Sequence, residues 1–330
     1  FSFFSRFGID LFSLLLYNPF KGSELMKLTF NETNYNQPDP FIFEDNGIFY
    51  LYVTAYAGVE AYESKTLTGK WIYKGTVTAF ADAYDFWAPS VIKLQDKYYM
   101  YVSCVANNNF QYMHVACADS PLGPFKNEKC LYDQFSIDSH MVKTNAGLFL
   151  WYAKNNLEHD LVGTRIYVDR FIDPYTPENN PKEVLLPEFD EEKFTPQCTE
   201  EGDWYTLEGP FWFKEGDWQY LMYSAGCYQD NTYHIGYAIA KTDEQDLKKV
   251  DFIKVKNGNK FSPVIIKNSF EEGTGHHSVI KVDNEYYAIY HARDYQNTTP
   301  TEYVERRTAR ICRLSVNDGV ITAERFEDHI

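Results

Sequence analysis

The sequence predicts an all-β protein, a five-bladed β-propeller in a single domain. The first observation is a repeat: an apolar strand, a tight polar turn and an aromatic-rich strand recur five times in 330 residues. The second is that further strand-like stretches follow the copies, while long helical periodicity is missing. Five units of about four strands each describe a propeller, whose blades pack on their neighbours. Since one blade cannot bury its faces alone, the repeats predict one domain.

Each copy of the repeat predicts a β-hairpin. Turns such as Asp45-Asn46-Gly47 and Glu215-Gly216-Asp217 are hairpin chemistry. The copies span residues 41–55, 91–104, 141–154, 211–225 and 279–292, and their aligned anchor aromatics are Tyr50, Tyr99, Phe149, Tyr220 and Tyr287. A β-sandwich with similar hairpins is the alternative architecture.

Composition restricts the partners. The chain contains 27 Tyr, 25 Phe and 6 Trp, and a mean hydropathy of −0.45 with this aromatic content excludes a disordered chain and a polytopic membrane protein. With 47 acidic against 31 basic residues, the net charge of −16 would repel a phosphate backbone. Aromatic side chains also form flat platforms for sugars. We therefore expect a carbohydrate partner, with neither nucleic acid nor membrane, although acidity could serve solubility alone.

The N-terminus and the cysteines bear on localisation. Residues 1–25 are apolar at first but carry Arg6 and Asp10, so they are a poor signal peptide and too short for a membrane span. We interpret them as a leader or appended segment, with the catalytic domain over residues 26–330. The six cysteines show no metal-binding spacing, which predicts buried thiols in a reducing compartment, with one disulfide as the alternative. Cytoplasmic localisation follows as the expectation, and secretion is the alternative.

The repeat also predicts a shared site. In a propeller the first strand of each blade lines the central channel, so the residues just before each copy meet at one end. Five residues stand 11 or 12 positions before their anchor aromatic: Asp39, Trp87, Asp138, Glu208 and His276. Like charges on one rim push at least one pKa upward. Glycoside hydrolysis needs one ionised carboxylate and one protonated acid, which favours that chemistry.

An ordered set of motifs resembles glycoside hydrolase family 43, the five-bladed propeller glycosidases of arabinose- and xylose-containing polysaccharides. The motifs are QPDPF (37–41), FWAPS (86–90), DSPLGPF (119–125), SIDSH (136–140), LEGPF (207–211), GTGHHS (273–278) and YHAR (290–293). The resemblance runs from about Asn36 to Arg313. It implies that Asp39 is the general base, Glu208 the general acid, and Asp138 the residue that orients the acid and raises its pKa. An inverting reaction would place the carboxyl groups of Asp39 and Glu208 roughly 6.5–9.5 Å apart.

The other site residues have weaker support. Trp87 is predicted to wall the sugar pocket, or else to be a core residue between blades, and Phe41 and Phe86 are further candidates for that wall. The resemblance implies that Arg293 reaches a carboxylate or a sugar hydroxyl, with a solvated surface arginine as the alternative. It also implies that His276 lies near a bound water or a Ca²⁺ ion in the channel, although a lone histidine is more often only hydrogen-bonded in place. No cofactor is required.

Three functions are compatible with these residues. The first is an inverting, exo-acting hydrolase that releases terminal α-L-arabinofuranose or β-D-xylose from plant-type oligosaccharides. The second is a retaining, fructoside-acting propeller hydrolase of families 32 and 68, whose Arg-Asp-Pro and Glu-Cys motifs are missing here. The third is a non-catalytic carbohydrate-binding propeller. The long, acidic, Pro-rich segment at 173–205 is expected either to fold over the pocket entrance, which favours exo action, or to be a solvated loop.

Overall fold

Each repeat folds into its own antiparallel sheet, and the predicted hairpin forms the first two strands of that sheet. The structure is a computed structural model that describes residues 27–31, 36–107, 110–194, 202–297 and 306–325. Within those ranges the five sheets of four or five strands are the five predicted blades, which excludes the β-sandwich. Asn46 and Gly47 show why the hairpins form, because both adopt the positive φ that a two-residue turn requires, 54° and 78°.

The first two blades follow the same plan, with strand order matching chain order from the channel outwards. Blade 1 also gains the N-terminal strand β1, which pairs in parallel with β5 at the outer edge. The strands of blade 1 are β1 (Thr29–Phe30), β2 (Phe41–Asp45), β3 (Ile48–Val53), β4 (Val59–Ser64) and β5 (Lys70–Thr78). Those of blade 2 are β6 (Ala83–Leu94), β7 (Lys97–Ala106), β8 (Gln111–Ala118) and β9 (Lys126–Cys130).

The remaining blades repeat this plan with small additions. Blade 3 consists of β10 (Ile137–Thr144), β11 (Gly147–Asn156), β12 (Gly163–Asp173), β13 (Thr176–Pro177) and β14 (Lys182–Leu185). Blade 4 consists of β15 (Leu207–Glu215), β16 (Trp218–Ala225), β17 (His234–Lys241) and β18 (Ile253–Lys254), followed by a small hairpin of β19 (Lys256–Asn257) and β20 (Lys260–Phe261). Blade 5 consists of β21 (Glu271–Val282), β22 (Glu285–Asp294), β23 (Thr308–Asn317) and β24 (Val320–Glu324).

The core is divided among the interfaces between blades. The described residues form five buried hydrophobic clusters, and each draws its side chains from two neighbouring blades. One such cluster joins Leu51 and Trp71 of blade 1 to Ile289 and Ile311 of blade 5, so the ring of blades is closed. Leu28 strengthens this closure, because its N–H donates to the carbonyl oxygen of Ala309 on blade 5.

The anchor aromatics are less uniform than the repeat predicts. Phe149 and Tyr220 are fully buried and Tyr50 is nearly so. Tyr99 and Tyr287 are only half-buried, since their neighbours Tyr98 and Tyr286 take the buried positions in those hairpins. Most of the aromatic excess nevertheless fills the interfaces between blades, as the repeat indicates.

The segment at 173–205 contributes to blade 3 rather than forming one long loop. Its first part supplies β13 and β14, which pair with β12, so the expectation that the whole segment covers the pocket is wrong. Its second part contains a 3₁₀ turn (Asp190–Glu192) anchored by a buried ion pair, in which Glu192 Oε1 lies 2.5 Å from Lys254 Nζ. A second 3₁₀ turn, Leu247–Lys249, follows β17. Residues 195–201 of this segment lie outside the described residues.

The thiol prediction is correct in part. The five cysteines within the described ranges form no disulfide, and three of them are buried; Cys117 is half-buried and Cys130 exposed, and Cys198 lies outside those ranges. None of the helical turns among the described residues has the length and apolarity needed to span a bilayer. The predicted leader at residues 1–25 also lies outside the described residues.

The division of the core into interfaces makes a stability prediction. Leu221 is fully buried in the cluster between blades 3 and 4, and Leu221→Ala should lower the free energy of unfolding by about 2–5 kcal/mol through lost contacts and a cavity. Ile253→Ala is the matched control, because that side chain is exposed and its loss should cost less than about 0.5 kcal/mol. Urea denaturation followed by tryptophan fluorescence measures both. Equal costs for the two variants would contradict this account of the core.

Candidate active site

A left-handed residue occurs at one equivalent position in all five blades. Each lies 11 residues before the anchor aromatic of its blade and has a φ between 44° and 63°. The five residues are Asp39, Ala88, Asp138, Gly209 and His276. In blades 2 to 5 the pairing of the first two strands shifts register there, as in a β-bulge that re-aims side chains. Three residues of the predicted ring are left-handed residues themselves. The other two, Trp87 and Glu208, lie one position before the left-handed residue of their blade.

Side chains of the preceding blade hold this unusual backbone in four of the five blades. The N–H of Ala88 donates to Thr54 Oγ1 at 2.8 Å, and the N–H of His276 donates to Ser224 Oγ at 2.7 Å. The other two pairs are Gly209 N–H to Asp138 Oδ2 at 2.9 Å and Asp39 N–H to His291 Nδ1 at 3.1 Å. A left-handed non-glycine residue costs of order 1–3 kcal/mol and persists only where its surroundings fix it. The packing of neighbouring blades therefore fixes the site.

Asp39 is held as an ionised carboxylate. Arg307 Nη1 donates to its Oδ1 at 3.1 Å, and Thr54 Oγ1 donates to its Oδ2 at 2.6 Å. Burial is the largest single influence and raises the pKa of Asp39, but Arg307, His276 and His291 together outweigh burial and hold that pKa well below its usual range. A carboxylate in this state can accept a proton from water, which is the task of a general base.

Glu208 is held in the opposite state. Burial raises its pKa to about 7; a hydrogen bond from Tyr233 opposes the rise, and the negative charge of Asp39 adds to it. The Tyr233 hydroxyl donates to Glu208 Oε1 at 2.5 Å and stacks its ring on His291 at 5.6 Å. One carboxyl oxygen is thus fixed by the protein. A carboxyl group that is still protonated near neutral pH can act as a general acid.

Asp138 interacts with the charges of both other carboxyl groups of the site. It is buried, and burial together with the charges of Glu208 and Asp39 raises its pKa well above the usual value. Its Oδ2 accepts the N–H of Gly209, so it orients the peptide that follows Glu208. Asp138 and Glu208 also repel each other when both are ionised, which favours a proton on the pair.

His276 completes the ring beside a small cavity. The cavity is lined by Asp39, Asp138 and His276, with Phe41 and His277 among the other lining residues. His276 Nδ1 lies 3.6 Å from Asp39 Oδ1 and 3.7 Å from Asp138 Oδ2. Burial lowers the pKa of His276, which favours a neutral imidazole.

The resemblance implies a bound water or a Ca²⁺ ion near His276, and the side chains around that histidine do not by themselves make a calcium site. Calcium takes six to eight oxygen ligands, and His276 offers a nitrogen. No group of three His, Cys, Asp or Glu residues in the described part of the chain is spaced to hold a metal ion.

The predicted sugar-binding residues have different positions. Trp87 is 37% exposed and directly precedes the left-handed Ala88, so it lies at the rim of the site rather than in the core. Phe41 lines the small cavity and packs near Phe211, deeper than a sugar platform. The prediction for Phe86 is wrong, because its ring is fully buried between blades 1 and 2 and cannot reach a sugar.

Arg293 contacts the backbone of the turn that follows β16. It is buried, and its guanidinium donates to the carbonyl oxygens of Tyr228 and Asp230 at 2.8 and 2.6 Å. Arg293 therefore holds the turn that follows β16. Arg307 takes the predicted place beside a carboxylate, with its guanidinium 4.9 Å from the centre of the Tyr228 ring.

Thr54, Tyr233 and Arg307 were missed by the sequence analysis, although the pattern held a signal for two of them. Tyr233 and Arg307 stand directly before β17 and β23, the third strands of their blades. The third strand runs parallel to the first and starts on the same face, so residues before it reach the same end of the channel. Thr54 follows the second strand of blade 1, which ends on that face.

Comparison with known proteins finds similar sequences and folds. Residues 33–321 match the family model Glycosyl hydrolases family 43. A thermostable family-43 glycoside hydrolase has a similar structure, with 29% identity, a TM-score of 0.75, and coverage of 88% of this chain and 93% of the other. An α-L-arabinofuranosidase from Lactobacillus brevis has a similar fold, with 21% identity, a TM-score of 0.70, and coverage of 88% of this chain and 94% of the other. An endo-1,4-β-xylanase from Bacteroides thetaiotaomicron also has a similar fold, with 23% identity, a TM-score of 0.69, and coverage of 88% of this chain and 96% of the other. No curated protein matched the sequence.

The raised pKa of Glu208 and its hydrogen bond from Tyr233 predict how kcat/KM depends on pH. With a pKa of about 7, Glu208 loses its proton as the pH rises through neutrality, so kcat/KM should fall above pH 7. Tyr233→Phe removes a donor that favours the ionised form, so the pKa of Glu208 should rise and the basic limb should move up by about one pH unit. The kcat/KM–pH profiles of both proteins measure this shift.

Tyr237→Phe is the matched control, because this buried tyrosine of β17 contacts the N–H of Ile321 away from the carboxyl groups. Its basic limb should stay where the wild type has it. A Tyr233→Phe profile whose basic limb does not move, or moves to lower pH, would contradict the assignment of Glu208 as the buried acid.

Proposed function

This chain belongs to the glycosyl hydrolases family 43, and from that membership we propose that it is an inverting, exo-acting enzyme. Its substrates are arabinose- or xylose-containing oligosaccharides, from which it releases terminal α-L-arabinofuranose or β-D-xylose. The observation that carries the proposal is the pair of opposite protonation states on one rim: Arg307 and its neighbours keep Asp39 ionised, while burial raises the pKa of Glu208 to about 7.

The reaction follows from these two states. Asp39 takes a proton from a water molecule as the water oxygen attacks the anomeric carbon. Glu208 gives its proton to the glycosidic oxygen as that bond breaks, so the leaving sugar departs neutral. Attack and departure on opposite faces invert the anomeric configuration in one step. Asp138 supports the acid by accepting the N–H of Gly209, the residue that follows Glu208.

The pentose substrate is proposed from similar proteins. An α-L-arabinofuranosidase, an endo-1,4-β-xylanase and an endo-arabinase share the fold of this chain. Two of these names denote endo-acting enzymes, and another protein of similar fold is named an exo-1,5-α-L-arabinanase, so the names do not discriminate between the two modes. Support for exo action comes from the segment before Glu208, whose Phe194 ring lies 6.0 Å from Tyr228, the residue under Arg307. Through Tyr228, Phe194 therefore lies near Arg307, and this proximity supports a pocket that is narrowed on that side.

Substitution of the acid tests the function. Wild type should hydrolyse 4-nitrophenyl α-L-arabinofuranoside or β-D-xyloside and the matching oligosaccharides. Glu208→Gln should lose about 10²–10⁴-fold in kcat on oligosaccharides, whose leaving oxygen needs a proton, and much less on the aryl glycosides, whose phenolate leaves without one. Glu215→Gln, at the far end of the same strand, is the control and should keep full activity. A wild type that binds these sugars without cleaving them would identify a binding propeller, and cleavage of fructosides alone would identify the alternative enzyme.

The stereochemistry tests the mechanism. Proton NMR of freshly released sugar should show the anomer opposite to that of the substrate before mutarotation. The carboxyl groups of Asp39 and Glu208 should be about 6.5–9.5 Å apart in a complex with substrate, which leaves room for the attacking water. Retained configuration, with a separation of the two carboxyl groups near 5 Å, would contradict the inverting mechanism but not the glycosidase activity.

A further inference from the structure

Exposed aromatic side chains cluster on the pocket face where blades 1 and 2 meet. Tyr56 is 68% exposed and Tyr84 42%, and their ring centroids are 5.7 Å apart with an angle of 35° between the planes. Trp87, at the rim of the site, lies three residues after Tyr84 on the same strand. Large aromatic side chains gain free energy when they leave water. A pair left in water beside a binding pocket therefore marks a contact surface for a ligand.

The backbone under the two tyrosines is fixed rather than loose. Ala55 and Phe86 exchange two backbone hydrogen bonds of 3.2 and 3.0 Å, and the N–H of Asp85 donates to the carbonyl oxygen of Tyr56 at 2.8 Å. This short bridge joins blade 1 to blade 2 outside the regular sheets. Because the bridge holds both residues, little conformational freedom is lost when a ligand packs on their rings.

The tyrosine pair is continuous with the active site. Thr54, which donates to Asp39 Oδ2 and accepts from the N–H of Ala88, stands two residues before Tyr56. Two extended residues span at most about 7 Å, so the Cα atoms of Thr54 and Tyr56 are no farther apart than that. This distance is comparable to the length of one or two sugar units, and a chain leaving the pocket can reach the rings.

We propose that Tyr56 and Tyr84 form a platform for the sugar residues of the substrate that remain outside the pocket. The occupant is a neutral arabinose- or xylose-containing chain, whose C–H faces pack on the rings while its hydroxyl groups stay in water. The net charge of −16 disfavours a chain of acidic sugars at the same place. This inference rests on the proposed function and adds that the enzyme prefers chains to single glycosides.

Substrate length tests the platform. Tyr56→Ala, Tyr84→Ala and the double variant are compared with wild type on a glycosyl fluoride of the accepted pentose, which leaves only fluoride outside the pocket, and on the matching tetrasaccharide. Each single variant should lower kcat/KM on the tetrasaccharide by about two- to tenfold and leave kcat/KM on the fluoride unchanged. Tyr56→Trp, which keeps an aromatic face, should retain wild-type activity on the tetrasaccharide.

Ile172→Ala is the matched surface control. Ile172 is also exposed, but it is the penultimate residue of β12, the third strand of blade 3, which finishes on the opposite face of the propeller. The control should behave as wild type on both substrates. Tyrosine variants that match wild type on the tetrasaccharide, or that lose activity equally on both substrates, would overturn the platform while the proposed function stands.

A binding measurement separates failure of the platform from failure of the proposed function. If wild type cleaves neither substrate, affinity electrophoresis in gels of linear arabinan and xylan decides the matter. Wild type that is retarded in either gel, together with a double variant that is not, would support the platform without catalysis. Equal migration of the two proteins in both gels would overturn it.

Discussion

The packing of each blade against its neighbour is the constraint on which the rest of this protein depends. The five buried clusters each join two blades, and none belongs to a single sheet. The same contacts carry polar partners near the channel, where side chains of one blade bind the backbone of the next. Ser224 of blade 4 binds the N–H of His276 in blade 5, and His291 of blade 5 binds that of Asp39 in blade 1. A site assembled in this way forms only when the ring of blades is complete.

The repeated left-handed residue connects the fold to the chemistry. In blades 2 to 5 a bulge at one register position turns the first strand so that side chains at and next to it face the end of the channel. In blades 1, 3 and 5 this residue is itself a site residue, whereas in blade 4 it is Gly209 and the acid is the residue before it. At the site, hydrogen bonds from neighbouring blades offset the strain of the left-handed conformation.

Three carboxyl groups in one buried ring separate into different protonation states because their partners differ. Asp39 has a guanidinium and a hydroxyl donor, and both favour its charge. Glu208 has one tyrosine donor against burial and the charge of Asp39, so it stays protonated to higher pH. Asp138 receives one backbone N–H and the repulsion of both neighbours. Chemically identical groups thus become a candidate base and acid through placement alone.

The sequence alone determined the five-bladed fold and the candidate carboxylates, because the hairpin turns and the aromatic anchors recur five times along the chain. Asp39, Asp138 and Glu208 each stand 11 or 12 positions before an anchor, and this shared position predicts that they lie on one rim. The partners of those groups depend on which blades become neighbours and on which rings are buried, so only the tertiary structure decided them. The Phe86 ring is buried between blades, and Arg293 binds the backbone of a turn. The groups that contact Asp39 and Glu208 are Thr54, Tyr233 and Arg307, which lie next to other strands. Local spacing fixes where a strand starts, but packing between distant segments decides what its side chains touch.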